Sequence, residues 1–175
     1  MPTSSNGVNK PQIPNAENSL IFLTKTYTPR RAFVYTENNL SNVPCTAGSW
    51  INVTPVTVVD PESLGITYSS SQINIPGGYH YEITYFQSFY SSYFSHTKIE
   101  KVGEGDVSWG TSAYSHNQFG NNCIARWTGY LDSATNFRFY YNTDRSQSNG
   151  LGTSGGDTTA AERHVTAVQI IRIDV

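Results

Sequence analysis

The chain alternates short β-type runs with turn residues, and this pattern restricts it to an all-β fold. Runs such as RAFVYT at 31–36, CIARWTGYL at 123–131 and FRFYY at 137–141 are rich in β-branched and aromatic residues, which suit a half-buried pleated surface. No stretch of ten or more residues has the apolar period of a helix. About ten strands at this spacing predict a sandwich or a barrel with almost no helix.

The stretch INIPGGYHYEITYF at 73–86 shows the alternation most clearly. A Pro-Gly-Gly corner separates two alternating runs, and the second run has Tyr79, Tyr81 and Tyr85 on one face. Such a row of tyrosines is either a stacking platform for a ligand or part of a seam with a second sheet or a second copy of the chain. We favour the seam.

The last apolar run, RHVTAVQIIRIDV at 163–175, is apolar on both faces at its middle. Ala167, Ile171 and Ile173 share one face, and Val168 and Ile170 share the other. A strand of this kind is usually covered on both sides. In a two-layer sandwich the second cover has to come from another chain, so we predict Val168 and Ile170 near the seam of a homo-oligomer.

Residues 1–18 contain three prolines, four asparagines and few apolar residues. A segment of this composition does not bury enough apolar surface to order itself. We therefore predict an extended arm at 1–18 that becomes ordered on a partner, followed by one domain at 19–175. Val8 and Ile13 are the candidate apolar anchors in the arm, and Lys10 is a candidate charge contact.

The low content of charge argues against nucleic acid and membranes as partners. Charged residues make up 14% of the chain and the net charge is −2, so the basic footprint of a phosphate binder is missing. No apolar run approaches the roughly 18 residues of a membrane span. The N-terminus does not resemble a signal peptide, so we expect synthesis in a cytoplasm. We expect Cys45 and Cys123 to be buried, reduced thiols.

The residue types that carry catalysis are present but dispersed. The four histidines show no metal-ligand spacing. Glu100, Glu104 and Asp106 form the densest acidic group, beside a Gly-rich turn, and a solvated hairpin tip explains them more simply than an acid–base pair. No Gly-x-Ser-x-Gly motif is present. We therefore expect no enzyme activity, no catalytic or metal site and no cofactor.

Aromatic side chains leave a carbohydrate site open as an alternative, because flat rings with polar tips suit sugars. Trp50, Trp109 and Trp127 all lie within β-type runs, which favours core packing for each. Tyr90 and Tyr93 flank two serines and are the better candidates for glycan contact.

Three segments resemble C1q- and TNF-like jelly rolls, and together they cover roughly residues 66–175. The stretch INIPGGYHYEI resembles the strand–turn–strand that opens a central strand in that family. The stretch GYLDSATNFRFYY at 129–141 resembles a later pair of strands, especially in the variants found at the tips of bacteriophage fibres. The stretch GDTTAAERHVTAVQIIRID at 156–174 resembles the closing loop and last strand. Five residues occupy the recurring positions of the middle segment: Leu131, Ala134, Thr135, Phe137 and Phe139.

This resemblance implies a ten-stranded jelly roll that assembles as a homotrimer, with Val168, Ile170, Tyr140, Tyr79 and Tyr81 as candidate seam residues. It also implies a bacteriophage virion protein. The short polar arm favours a capsid decoration (cement) trimer that binds the major capsid protein on the virion surface. The first alternative is a fibre-tip protein that recognises host glycans, and the second is a free carbohydrate-binding module.

Overall fold

The computed structural model shows an all-β chain. Fourteen strands and no helix lie within the described residues, and no helix there is long and apolar enough to span a membrane. The structure describes residues 29–37, 43–54, 57–90, 92–115, 120–151 and 164–174. The strands are β1 (Pro29–Glu37), β2 (Val43–Cys45), β3 (Ile51–Asn52), β4 (Thr57–Val59), β5 (Thr67–Ser69), β6 (Gln72–Ile75), β7 (Tyr79–Tyr90), β8 (Tyr93–Lys101), β9 (Gly105–Trp109), β10 (Ala113–Ser115), β11 (Gly120–Leu131), β12 (Thr135–Thr143), β13 (Gln147–Leu151) and β14 (His164–Ile173).

The strands form two seven-stranded sheets that pack face to face. Sheet A has the order β2-β13-β7-β14-β1-β4, and β11 pairs with β7. Sheet B has the order β10-β8-β12-β6-β5, with β3 paired to β12 and β9 paired to β8. All pairings between these strands are antiparallel. An antiparallel sheet can bury one face and leave the other to solvent or a partner.

The core lies between the long strands of the two sheets. β7 points Tyr81, Ile83 and Tyr85 inward, and β12 points Phe137 and Phe139 back toward them, each at most 2% exposed. The rings of Tyr85 and Phe139 meet edge to face with centroids 5.4 Å apart, a favoured aromatic geometry. Burial of one Ile or Phe side chain stabilises a fold by about 1.5–3 kcal/mol, so these core contacts hold the two sheets together.

The Pro-Gly-Gly corner between β6 and β7 needs both of its glycines. A Cβ on Gly77 would lie 2.3 Å from the Cα of Ser133, so the close approach of two backbones excludes any side chain. Gly78 has φ +90°, a conformation that glycine adopts readily. Its N–H donates to the carbonyl of Leu131 at 2.6 Å, which ties the corner to the end of β11.

One carboxylate organises the loop between β4 and β5. Asp60 accepts hydrogen bonds from the backbone N–H groups of Leu64 (2.8 Å), Gly65 (2.8 Å) and Ile66 (3.2 Å). The side chains of Leu64 and Ile66 are consequently turned into the core, where both are buried. The Asp60 side chain thus fixes this loop so that its apolar residues cover part of the interior.

The interior becomes polar toward the end of β7. The Oε1 of Gln87 accepts hydrogen bonds from the hydroxyls of Tyr85 (3.1 Å) and Thr166 (2.7 Å). The hydroxyls of Ser92 and Ser95 lie 2.8 Å apart, both fully buried. Satisfied buried networks of this kind favour a unique packing arrangement, so this region fixes how β7, β8 and β14 meet.

The all-β prediction and the sandwich are confirmed, whereas two predicted loops are shorter than expected. The Gly-, Ser- and Asn-rich composition of the stretches 115–122 and 146–157 predicts long surface loops, but β11 begins at Gly120 and β13 spans Gln147–Leu151. Several of the fourteen strands have only two or three residues, which explains the excess over ten. The β-type run LIFLTKTY at 20–27, which predicts a further strand, lies outside the described residues. Cys45 and Cys123 are buried, as predicted, and are not joined in a disulfide.

Candidate functional site: the outward faces of the sandwich

Strand β14 carries apolar residues on the outward face of sheet A. Val168 and Ile170 point into the core, so the alternating residues Ala167, Ile171 and Ile173 point away from it. All three are half-buried by their neighbours on the sheet. The outward side of this central strand is therefore largely aliphatic.

The apolar character extends across the neighbouring strands. Phe33 of β1 pairs with Val59 of β4, and these two outward side chains are 38% and 37% exposed. Phe86 of β7 pairs with Ala167 on one side and Ile124 of β11 on the other. We call this patch the apolar face; it consists of Phe33, Val59, Phe86, Ile124, Ala167, Ile171 and Ile173.

The outward face of sheet B is covered instead by charged side chains that pair with one another. The Nζ of Lys98 lies 2.9 Å from Oδ1 of Asp106, and the Nη1 of Arg138 lies 3.4 Å from Oε1 of Glu100. All four residues lie on β8, β9 or β12. Such self-paired charges suit a face that meets water.

Sheet B also carries an aromatic cluster around Lys98. The Lys98 ammonium lies 4.7 Å from the ring centroid of Trp50, 5.2 Å from that of Tyr140 and 5.4 Å from that of Trp109. Trp50 and Trp109 meet edge to face, with ring centroids 5.4 Å apart. Partial burial raises the pKa of Tyr140. A cation held over ring faces is an attractive contact, so these side chains fix one another in position.

A cleft opens beside this cluster, at the edge where β9 approaches β11. Its volume is about 460 Å³, and Trp109, at 64% exposure, is its most open wall. The Thr111 N–H donates to the carbonyl of Ile124 at 2.9 Å, which ties the loop after β9 to β11. A Cβ on Gly110 would lie 2.7 Å from that same carbonyl oxygen. We call this the Trp109 cleft; it is lined by Ser108, Trp109, Gly110, Thr111, Ile124 and Arg126.

The two-sheet architecture has counterparts among solved structures. A crystal structure of murine APRIL at pH 5.0 superposes with a TM-score of 0.55 over 83% of this chain and 99% of that chain, at 9% sequence identity. Structures of murine APRIL at pH 8.0 and pH 8.5 give TM-scores of 0.52 and 0.53 with the same coverages, at 8% and 9% identity. The fold is a TNF-like jelly roll. No family model and no curated protein matches the sequence, so the likeness shows the fold alone.

The jelly roll buries three of the five predicted seam residues. Val168 and Ile170 are 0% exposed and Tyr81 is 1% exposed, so a second chain cannot contact them and the prediction for these three is wrong. The physical reason is that β14 is apolar on both sides, and alternation alone does not tell which side is inner. Pairing of Val168 with Val34 and Tyr85 decides it.

The other two predicted seam residues lie on separate surfaces. Tyr79 is 37% exposed at the start of β7. Its ring meets Tyr81 edge to face and lies 4.1 Å from the guanidinium carbon of Arg172. Tyr140 lies on the outward face of sheet B, within the aromatic cluster. The structure therefore does not bring the five predicted residues to one surface.

The remaining predicted contacts are only partly described. Val8, Lys10 and Ile13 of the arm lie outside the described residues, as does the side chain of Tyr90. Tyr93 opens β8 with φ +59°. Its ring contacts Tyr114, and the guanidinium of Arg145 lies 5.0 Å from its centroid. The arm anchors and the glycan contact at Tyr90 and Tyr93 stay predictions.

The buried thiol of Cys123 is held neutral. Burial raises the pKa of Cys123 to about 12, and its thiol donates to the carbonyl of Ser95 at 3.2 Å. A thiol that stays protonated at neutral pH is a poor nucleophile. In the part of the chain that the structure describes, no three His, Cys, Asp or Glu side chains form a group that could hold a metal ion. The expectation of no enzyme activity stays a prediction.

The sequence predicted that Trp109 packs in the core, but a β-bulge turns its side chain outward. The register between β8 and β9 shifts at Ile99–Glu100, which leaves Val107 without a partner and packed against the core. Strict alternation from Val107 would turn Trp109 inward, but the bulge turns it outward beside Lys98. The nearby Gly103-Glu104-Gly105 turn was visible in the sequence, but it did not reveal the bulge.

Proposed function

We propose that this chain is a self-assembling, noncatalytic virion protein, a homotrimer that decorates and stabilises a bacteriophage capsid lattice by binding the major capsid protein. The observation that supports self-assembly is the apolar face of sheet A. The virion and capsid steps are supported by the resemblance of residues 66–175 to the jelly rolls of bacteriophage fibre tips and by the polar arm.

The apolar face fits a second copy of the same chain better than it fits water. Contiguous exposed apolar patches mark interaction sites on soluble proteins. Ile171 is flanked on its two neighbouring strands by Arg31 and Glu82, which carry opposite charges. Copies of one face that meet around a symmetry axis can therefore bring unlike charges together at the margin of an apolar centre.

The proposed mechanism is binding without chemistry. The arm at 1–18 becomes ordered when it docks on capsid subunits, which lowers the affinity of each single contact. Three arms on one trimer offset this loss, because the second and third contacts form at a high effective concentration. The jelly roll itself keeps the three arms at a fixed spacing.

Deleting residues 1–18 tests the capsid step. We expect the truncated protein to keep the oligomeric mass of the full chain, because the described strands begin at Pro29. We expect it to lose attachment to capsids stripped of decoration protein, measured by cosedimentation. Single changes at Val8 or Ile13 should weaken binding by about 1–3 kcal/mol per site, and Lys10→Glu should act in the same direction. Truncated protein that decorates capsids as well as the full chain does would contradict the anchor.

The first alternative is a fibre-tip protein that recognises host glycans, and the second is a free carbohydrate-binding module; the exposed aromatic side chains of sheet B suit both. Under the first alternative the arm-deleted protein still binds host cells. Changes within 87–95 or 146–157 would then abolish binding. Cryo-EM of intact particles separates the alternatives, because decoration predicts the chain on the capsid surface and recognition predicts it at a fibre tip.

A further inference from the structure

Trp109 offers an open aromatic surface that its surroundings hold in place. It is the most exposed of the large apolar side chains among the described residues, at 64%. The edge contact with Trp50 and the ammonium of Lys98 fix the orientation of the indole. A flat exposed ring that is held rigid suits the apolar C–H face of a sugar, because little side-chain entropy is lost on binding.

Arg126 lies on the opposite wall of the cleft, and its charge has no counter-charge within the described residues. Arg138 and Arg172 each pair with a carboxylate, at 3.4 Å and 2.7 Å, whereas no carboxylate within the described residues pairs with Arg126. The Arg126 side chain is exposed and lines the same cleft as Trp109. A free guanidinium is planar and matches a carboxylate through two parallel hydrogen bonds.

Two hydroxyls complete the polar lining of the cleft. The Ser108 hydroxyl donates to the carbonyl of Arg126, so its oxygen lone pairs remain available as acceptors. The Thr111 hydroxyl accepts from the N–H of Ile124 at 3.1 Å, so its proton remains available for donation. A volume of about 460 Å³ lies within the range of roughly 300–1,000 Å³ that is typical of small-molecule sites.

From these features we infer that the Trp109 cleft binds an acidic sugar, a saccharide whose carboxylate pairs with Arg126 while its ring lies against Trp109. An acidic sugar combines a C–H face, a carboxylate and several hydroxyls, and the cleft presents a matching group for each. A neutral sugar would leave the guanidinium unpaired. This inference does not rest on the capsid partner, but it requires that the seam of the proposed trimer leave Ile124 and Arg126, on the β11 edge of sheet A, open to solvent.

The test uses the full-length protein labelled with ¹⁵N, which gives one indole N–H signal for each of the three tryptophans. Methyl glucuronide and methyl sialoside are the two acidic probes, and methyl glucoside is the neutral control. We expect an acidic probe to shift the Trp109 indole signal in a saturable titration, with the glucoside at least about tenfold weaker. The two acidic arms distinguish a uronic acid from a sialic acid. Loss of the signal in Trp109→Phe assigns it.

Charge-matched variants decide whether Arg126 is the carboxylate partner. We expect Arg126→Gln to weaken binding of the acidic probe at least about tenfold, and Arg145→Gln, an equal change of charge beside Tyr93, to leave it unchanged. Thermal unfolding of both variants checks that the fold is intact. Equal binding of glucuronide and glucoside, unchanged affinity in Arg126→Gln, or shifts confined to Trp50 and Trp127 would each overturn the inference.

Discussion

The outward face of sheet A carries aliphatic and phenylalanine side chains on its central strands, whereas the outward face of sheet B carries ion pairs and, apart from Phe94 beside the edge strand β10, aromatic rings with polar tips. On sheet A, Phe33 and Ile171 have no polar group of their own to meet water. On sheet B, Lys98 and Asp106 pair at 2.9 Å, and the exposed aromatics Trp109 and Tyr114 lie on the outer strands β9 and β10.

The difference indicates what each face meets. Phenylalanine and aliphatic side chains at the middle of a sheet gain free energy only when another apolar surface removes them from water. Aromatic rings with polar tips at an edge remain compatible with water and with polar ligands. We therefore propose sheet A as the face for a second copy of the chain and sheet B as the face that stays open.

The largest expected effect is the difference between a charge placed on the inner side of β14 and one placed on its outer side. Val168→Asp would bury an unpaired carboxylate and lose a buried side chain, a cost on the order of 4–5 kcal/mol or more, which is a large share of a typical stability. We expect this variant to be unfolded by circular dichroism. Ile171→Asp, three residues away, should remain folded with a lower oligomeric mass. A folded Val168→Asp variant would contradict the assignment of the two sides.

A pair of phenylalanines compares the two outward faces directly. Phe33 on sheet A and Phe94 on sheet B are 38% and 51% exposed, so changing either one to Asp introduces the same charge at a similar depth. We expect Phe33→Asp to lower the oligomeric mass measured by light scattering, because three copies of the charge would meet in one seam. Phe94→Asp is the control and should keep the mass of the unmodified protein. The reverse result would assign the seam to sheet B.

Alkaline pH probes the core between the two faces. Burial raises the pKa of Cys123 and of Tyr141 to about 12, from ordinary values of 9.0 and 10.0, and raises that of Tyr85. Between about pH 9 and pH 12 the unfolded chain binds fewer protons than the folded chain. The free energy of unfolding therefore falls as pH rises above about 9. Urea midpoints should therefore be constant between about pH 7 and pH 8 and should fall at about pH 10. Midpoints that stay level through pH 10 would be inconsistent with buried, neutral phenols.

The smallest expected effect concerns the ion pairs of sheet B. Arg138 and Glu100 are partly exposed and lie 3.4 Å apart, a geometry that contributes at most about 1 kcal/mol. Glu100→Gln should lower the free energy of unfolding by that amount or less and leave the oligomeric mass unchanged. A change in mass would show that the charges of sheet B take part in assembly.

Much of the fold could be predicted because side-chain alternation records which residues are buried. The alternation in β7 correctly placed Tyr81, Ile83 and Tyr85 on one face, and the Pro-Gly-Gly corner was visible as turn chemistry. β13 could not be predicted from its residues, QSNGL, since its pairing with β2 and β7 depends on backbone groups that every sequence has.

The candidate site was harder to predict than the fold because its geometry depends on register. The two sides of β14 look alike in sequence, so only pairing with β1 and β7 shows that Ile171 is outward and Val168 is inward. The bulge at Val107 reverses the direction of the Trp109 side chain, and alternation along β9 alone does not show where its register with β8 shifts. The position of Arg126 in the same cleft as Trp109 could not be predicted, because it depends on the fold bringing β9 and β11 together.

The central claim is that the apolar face of sheet A is covered by other copies of this chain. Sedimentation equilibrium of the unmodified protein at micromolar concentration measures this directly. The account predicts a single species of three times the chain mass of 19.4 kDa, and dissociation of that species by Phe33→Asp but not by Phe94→Asp. A species of 19.4 kDa under the same conditions would contradict it.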